Sequence, residues 1–157
     1  RKAIATVAPR SPIRRAGGST PVENYIVWAF DAGTIEYLDF LCHLKGYGGG
    51  GLTFTLPWSA TSATTNVCRW GIGIRAIVDD AEDMDTAHTY DYNDVDDTVA
   101  TVSGELSYPT LAFTHGADMD SWADGELAIV RVRRNASHVN DTMTGDAELW
   151  TLIGRET

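Results

Sequence analysis

The stretch LTFTLPW, residues 52–58, decides the fold class. Leu52, Phe54, Leu56 and Trp58 fall on one side of an extended chain, and Thr53 and Thr55 on the other. A period of two is the mark of a half-buried β-strand. Pro57 has no N–H to offer a neighbour, so this strand ends there or lies at an edge.

Working outward, the same pattern recurs along the chain. VCRWGIGIRAIV (67–78) places Cys68, Trp70, Ile72, Ile74, Ala76 and Val78 on one face. Arg69, Gly71, Gly73 and Arg75 take the other, where two glycines predict a bend or the close approach of another backbone. YIVWAF (25–30) is a short apolar run, and IEYLDFLCHL (35–44) aligns Leu38, Phe40, Cys42 and Leu44. Further strands are expected at 98–106, 110–114, 126–134 and 147–154, which makes eight. No stretch of a dozen residues keeps a 3.6 period; ADMDSWADG (117–125) predicts one short helical turn stopped by Gly125. Strands separated by turns in a chain of 157 residues predict an all-β fold, an eight-stranded jelly-roll-type antiparallel β-sandwich spanning residues 25–157.

Residues 1–24 differ in kind. They hold Pro9, Pro12, Pro21, Gly17 and Gly18 and no periodicity, and are expected to form an extended arm. Charge divides at the same place. Arg1, Lys2, Arg10, Arg14 and Arg15 put +5 in the first 20 residues, whereas residues 21–157 carry 22 acids and 7 bases, or −15. Such a body repels nucleic acid. The five basic residues are the candidate docking element, suited to an acidic surface on a partner or a neighbouring copy; a solvated terminus is the plainer alternative. No apolar window is long enough to span a bilayer, and no apolar stretch follows the basic start as a signal peptide requires.

Patterns that carry chemistry are weak. GYGGGG (46–51) is followed by a strand rather than a helix, so a turn is preferred to a phosphate loop. The segment 79–97 is rich in Asp and Glu without a Lys or Arg. Calcium held by Asp83, Asp85, Asp91 or Asp94 is the sharp reading and a solvated acidic loop the bland one. Asp118 and Asp120 begin an EF-hand-like spacing, but Trp122 stands at its third ligand position and Ile129 where Glu is needed. His43, His88, His115 and His138 show no metal-binding spacing. Cys42 and Cys68 read as free buried thiols, and Cys42 and His43, adjacent on a strand, point to opposite faces. Four of the five tryptophans sit at core-like strand positions; Trp122, with Tyr90 and Tyr92, falls in a loop and is the candidate for a sugar platform. Asn135 and Asn140 match glycosylation sequons by spacing alone. No catalytic or metal site and no cofactor are expected.

Three segments carry a resemblance: WSATSATTNVCRWGIGIRAI (58–77), LAFTHGADMDSWADGELAIVRVRRNAS (111–137) and NDTMTGDAELWTLIGRET (140–157). Together they resemble a family of small virion proteins of tailed phages and prophages, across roughly residues 52–157 apart from the acidic segment. The closing motif, with its terminal R-E-T, is the most specific of the three. The resemblance implies a non-enzymatic β-sandwich module, a capsid decoration or cement protein, trimeric, bound to the major capsid protein on the virion surface. The same family implies an alternative, a receptor-binding module of a tail fibre or head fibre; in that case the acidic segment, with Tyr90 and Tyr92, is the expected contact surface. A carbohydrate-active jelly-roll enzyme stands as a third reading. The acidic segment and residues 1–24 depart from the family pattern. Neither nucleic acid nor membrane is an expected partner.

Overall fold

The computed structural model describes residues 13–17, 23–62 and 65–157. Among them are eleven strands and no α-helix: β1 (Ile13–Gly17), β2 (Glu23–Phe30), β3 (Glu36–His43), β4 (Leu52–Thr55), β5 (Trp58–Ala60), β6 (Val67–Ile77), β7 (Tyr92–Thr98), β8 (Thr110–Phe113), β9 (Leu127–Arg134), β10 (Ala147–Leu149) and β11 (Ile153–Glu156). The all-β expectation holds, and every strand pairing is antiparallel.

The strands form three sheets, ordered β1-β2-β10-β5, β11-β4-β8 and β3-β9-β6-β7. The first two are joined where their strands meet. Pro57 interrupts the ladder between β4 and β5 because it has no N–H, and the opposite strand breaks at the same level between β10 and β11. The gap is bridged by Trp150 N–H donating to the Pro57 carbonyl at 2.9 Å. Leu56 and Trp58 continue the ladder on the other side, donating to the carbonyls of Pro109 and Ser107 at 3.0 Å each.

One core lies between these two sheets and the third. Phe30, Leu52, Phe54, Leu56, Trp58, Leu111, Phe113 and Leu149 meet Cys68, Trp70, Ile72, Ile74, Val130 and Val132, all buried. Trp70 packs edge-on against Phe30 at 5.1 Å and Trp58 at 5.7 Å, geometries that aromatic quadrupoles favour. The alternation read in residues 52–58 is realised: the four large residues are buried and Thr53 and Thr55 only half so.

The eight-strand expectation is corrected in four places. Residues 13–17, inside the expected arm, pair with β2, so that Arg14 lies opposite Ile26 and Arg15 opposite Tyr25. Residues 52–58 and 147–154 are each two elements rather than one. The strand expected at 98–106 lies earlier, at Tyr92–Thr98, inside the acidic segment. Residues beyond Val99 instead form turns, where Ser103 Oγ donates to the carbonyls of Ala60 at 3.1 Å and Thr61 at 2.7 Å. Around Asp118 the short helical turn is present, at Ala117–Met119.

Candidate functional site

Of the expected docking residues, Arg1, Lys2 and Arg10 lie outside the described residues, and Arg14 and Arg15 stand in β1. The other candidates resolve into structural roles.

The closing motif is a clamp. Arg134, at the end of β9, is fully buried. Its Nε and Nη2 donate to the two carboxylate oxygens of Asp141 at 3.0 and 2.8 Å. Nη1 donates to the carbonyls of Phe30 (3.3 Å) and Gly145 (2.7 Å), and Nη2 also to that of Met143 (2.6 Å). A buried guanidinium is tolerable only when paired and fully hydrogen-bonded, and this one is. Asp141 further accepts the Arg69 amide at 3.0 Å. The Thr142 hydroxyl accepts the Val67 amide at 3.1 Å, and Asn140 donates to Asp96 at 2.5 Å. The polar residues of 140–146 therefore fasten a loop to β6, β7 and β9.

The outer face of the third sheet carries ion pairs laid across strands. Arg131 pairs with Asp39 on β3 (2.7 and 2.8 Å), and Arg133 reaches Asp94 on β7 at 3.0 Å. Register places Gly71 of β6 between Arg133 and Asp94, and Gly73 between Arg131 and Tyr92. A Cβ at Gly71 would run into the Asp94 carboxylate and meet Arg133 Nε at 2.8 Å; at Gly73 it would meet the Tyr90 Cβ at 2.9 Å. The close approach that the two glycines predicted is thus made mainly by side chains. Gly71 lets Arg133 cross β6 to Asp94, and Gly73 lets Tyr90 lie close over the same strand. Arg133 lies over the Tyr92 ring at 3.7 Å and Arg131 over Tyr90 at 4.3 Å, cation–π arrangements that hold both tyrosines against the sheet. Burial pushes the Tyr92 hydroxyl up to about 12, although both arginines favour its ionised form.

Of the acids considered for calcium, Asp83, Asp94, Asp118 and Asp120 each have partners of their own, and Glu82 beside them is paired as well. Glu82 takes Arg75 at 2.9 and 3.1 Å, and the same guanidinium donates to the carbonyls of Asp83 and Thr86. Asp83 accepts the Asp85 amide and the Thr86 hydroxyl. Asp118 accepts the Thr114 backbone amide at 2.6 Å and the Asn93 side-chain Nδ2 at 3.0 Å, and Asp120 accepts the Ala76 backbone amide at 2.9 Å. Among the described residues no three His, Cys, Asp or Glu side chains come together as a metal site. The histidines are dispersed: His43 on the Gly125 carbonyl, His88 near Asp120, His115 on the Tyr47 hydroxyl, His138 on the Asn140 amide. Trp122 is corrected from sugar platform to core: it is 2% exposed, and its indole donates to the Glu126 carbonyl at 3.0 Å. Cys42 and Cys68 are free, as expected, and burial raises both thiols above their usual range, Cys68 well above.

One concave feature was not visible in the sequence. Between the end of β3, the glycine loop and β11 lies a cleft of about 410 Å³. Its apolar wall includes Leu44, Tyr47, Phe54 and Leu152, and His43, Lys45, Arg155 and Glu156 add charge or polarity. The glycine loop is a turn, as preferred, but an ordered one. Gly48 and Gly50 donate their amides to Glu156 Oε1 at 2.8 and 3.2 Å, and Gly51 donates to the Tyr47 hydroxyl at 2.9 Å. Gly51 has φ 93°, and a Cβ there would come within 2.5 Å of the Phe113 carbonyl oxygen, so only glycine fits. Sequence reading missed Lys45 and Arg155; the available signal was that both are cations outside the arginine-rich strands.

No family model matches the chain, and no curated protein matches it.

Proposed function

We propose that this chain is a non-enzymatic structural protein of a phage virion, a capsid decoration or cement protein that binds the major capsid protein as a homotrimer. The observation that carries the reading is the role of the closing motif. The residues through which the chain resembles small virion proteins hold the fold together: Arg134 and Asp141 form the buried clamp, and Trp122 fills the core. A motif spent on the scaffold suits a module whose work is rigidity and valency. The non-consecutive neighbours in each sheet, β2-β10-β5 and β3-β9-β6, require crossovers between layers and support a jelly-roll topology.

The basic residues Arg1, Lys2, Arg10, Arg14 and Arg15 supply docking in this reading. Each exposed ion pair contributes only about 0–1 kcal/mol, and repetition across the copies of a closed oligomer makes the attachment tight. β1 is part of a sheet, so the test removes residues 1–12 only, combined with Arg14→Ala and Arg15→Ala. Binding to purified undecorated capsids is then measured by co-sedimentation at two salt concentrations. The reading expects binding to be lost while circular dichroism stays unchanged. Undiminished binding by the altered protein would sink the docking role.

A receptor-binding module of a tail or head fibre is favoured by a different observation, the cleft beside β11. The acidic segment gives this second reading less support, because Tyr90 and Tyr92 lie under arginines of their own sheet.

A further inference from the structure

The body of this protein is strongly acidic, and five of its seven lysines and arginines are used internally. Arg69, Arg75, Arg131, Arg133 and Arg134 each pair with a carboxylate on a neighbouring element. Among the described side chains, Lys45 and Arg155 are the lysine and arginine with no ion pair. They come from distant parts of the chain, the loop after β3 and the last strand, yet both line the same cleft. Two like charges facing one concavity repel each other unless an anion lies between them. Glu156 shares the cleft, and its Oε1 is taken by the amides of Gly48 and Gly50. Lys45 and Arg155 against Glu156 still leave one positive charge in excess.

The rest of the cleft specifies what the anion is attached to. A volume of about 410 Å³ falls in the range of small-molecule sites. Leu44, Tyr47 and Leu152 are half-buried, so each keeps some apolar surface for a ring to cover. A basic segment, including this chain's own N-terminal residues, is disfavoured by the charge.

We propose that the cleft between β3, the glycine loop and β11 is a binding site for a small organic anion. The ligand is a carboxylate or sulfate carried on a ring of monosaccharide size, its charge held by Lys45 and Arg155 and its ring against Leu44, Tyr47 and Leu152. This site is independent of the capsid reading, and attachment through the basic arm can fail without affecting it.

The test uses the whole 157-residue chain, labelled with ¹⁵N, and four probes: glucuronate, glucose 6-sulfate, methyl glucoside and inorganic sulfate. Amide shifts of residues 43–51 and 152–156 are followed through each titration. Glucuronate or the sugar sulfate should bind in the millimolar range, with methyl glucoside and inorganic sulfate about tenfold weaker or worse. Lys45→Ala with Arg155→Ala should weaken the anionic sugars about tenfold or more, and raised salt should act in the same direction. Both side chains are exposed, so the double variant should keep the wild-type spectrum elsewhere. Glu156→Gln should strengthen binding, because it removes the competing carboxylate while keeping an oxygen for the glycine amides. The proposal is overturned if methyl glucoside binds as well as glucuronate, if the double variant binds normally, or if no probe moves the cleft amides. Equal binding of inorganic sulfate and the sugar sulfate would overturn recognition of the ring.

Discussion

Arg134 and Asp141 meet through two parallel hydrogen bonds, 3.0 and 2.8 Å long, with side chains that are 0% and 1% exposed. Removing one member of such a pair leaves the other buried without compensation. Asp141→Ala is expected to cost about 3–5 kcal/mol. Arg134→Met should cost at least as much, because the carbonyls of Phe30, Met143 and Gly145 lose their donor along with Asp141. Urea unfolding followed by tryptophan fluorescence measures both. A loss under 1 kcal/mol for either variant would show that the clamp is not what fastens the 140–146 loop.

Gly71 should not tolerate alanine. In an open strand the change would be mildly favourable, since glycine costs more backbone entropy on folding. Here the new methyl meets Asp94 and Arg133. Forcing them apart is expected to cost about 1–3 kcal/mol, the usual range for overpacking. Pairing Gly71→Ala with Asp94→Ala in a double-mutant cycle should reveal coupling, because the second change removes the clash.

Stability should fall in alkali across a defined window. Burial raises Tyr92 from 10.0 to about 12, so the folded chain keeps a phenolic proton that the unfolded chain has lost. The group's contribution is complete below pH 10 and disappears as pH rises to about 12. Tyr90 is shifted in the same direction, also by burial. Tyr92→Phe should flatten the decline in unfolding free energy over that interval, and absorbance titration near 295 nm should lose its latest-ionising tyrosine.

The thiols should react in two classes. Cys68 is fully buried, and burial holds its thiol well above the usual range. Cys42 is half-buried, and burial raises its thiol too. A thiol-specific disulfide reagent should modify Cys42 slowly in the native protein and reach Cys68 only on unfolding. Rapid modification of both in the folded state would contradict this packing.

The strand pattern was legible where burial is one-sided. Residues 52–58 and 67–78 announce their inner faces because every second residue is apolar; the first is as read, and the second is as read from Cys68 to Ala76, whereas Val78 lies past the end of β6 and is exposed. The segment 92–98 was hidden for the opposite reason. On β7 the outward Tyr92, Asp94 and Asp96 and the inward Asn93 and Asp97 leave Val95 as its only aliphatic residue, so no hydrophobic period exists. What makes it a strand is the set of arginines on β6 and β9 that meet its carboxylates, a property of neighbours distant in sequence. The breaks at Pro57 and at Trp150–Leu152 coincide because the two strands face each other, which no local signal reveals. Burial of Trp122 likewise escaped local reading, since a loop can fold inward as readily as a strand. The cleft joins residues more than a hundred positions apart, and sequence carries no sign of that meeting.

The position of β10 has a consequence for how the chain is made. It is the strand between β2 and β5, and its register pairs Leu149 with both Trp28 and Trp58. While the polypeptide is being synthesised, β2 and β5 therefore wait with bare facing edges until residue 149 has cleared the ribosomal exit tunnel. Closure of the layer therefore comes late, and until then the nascent chain exposes strand edges that invite pairing with other copies. Rapid elongation or chaperone cover over this interval should raise soluble yield more than any change to the finished surface.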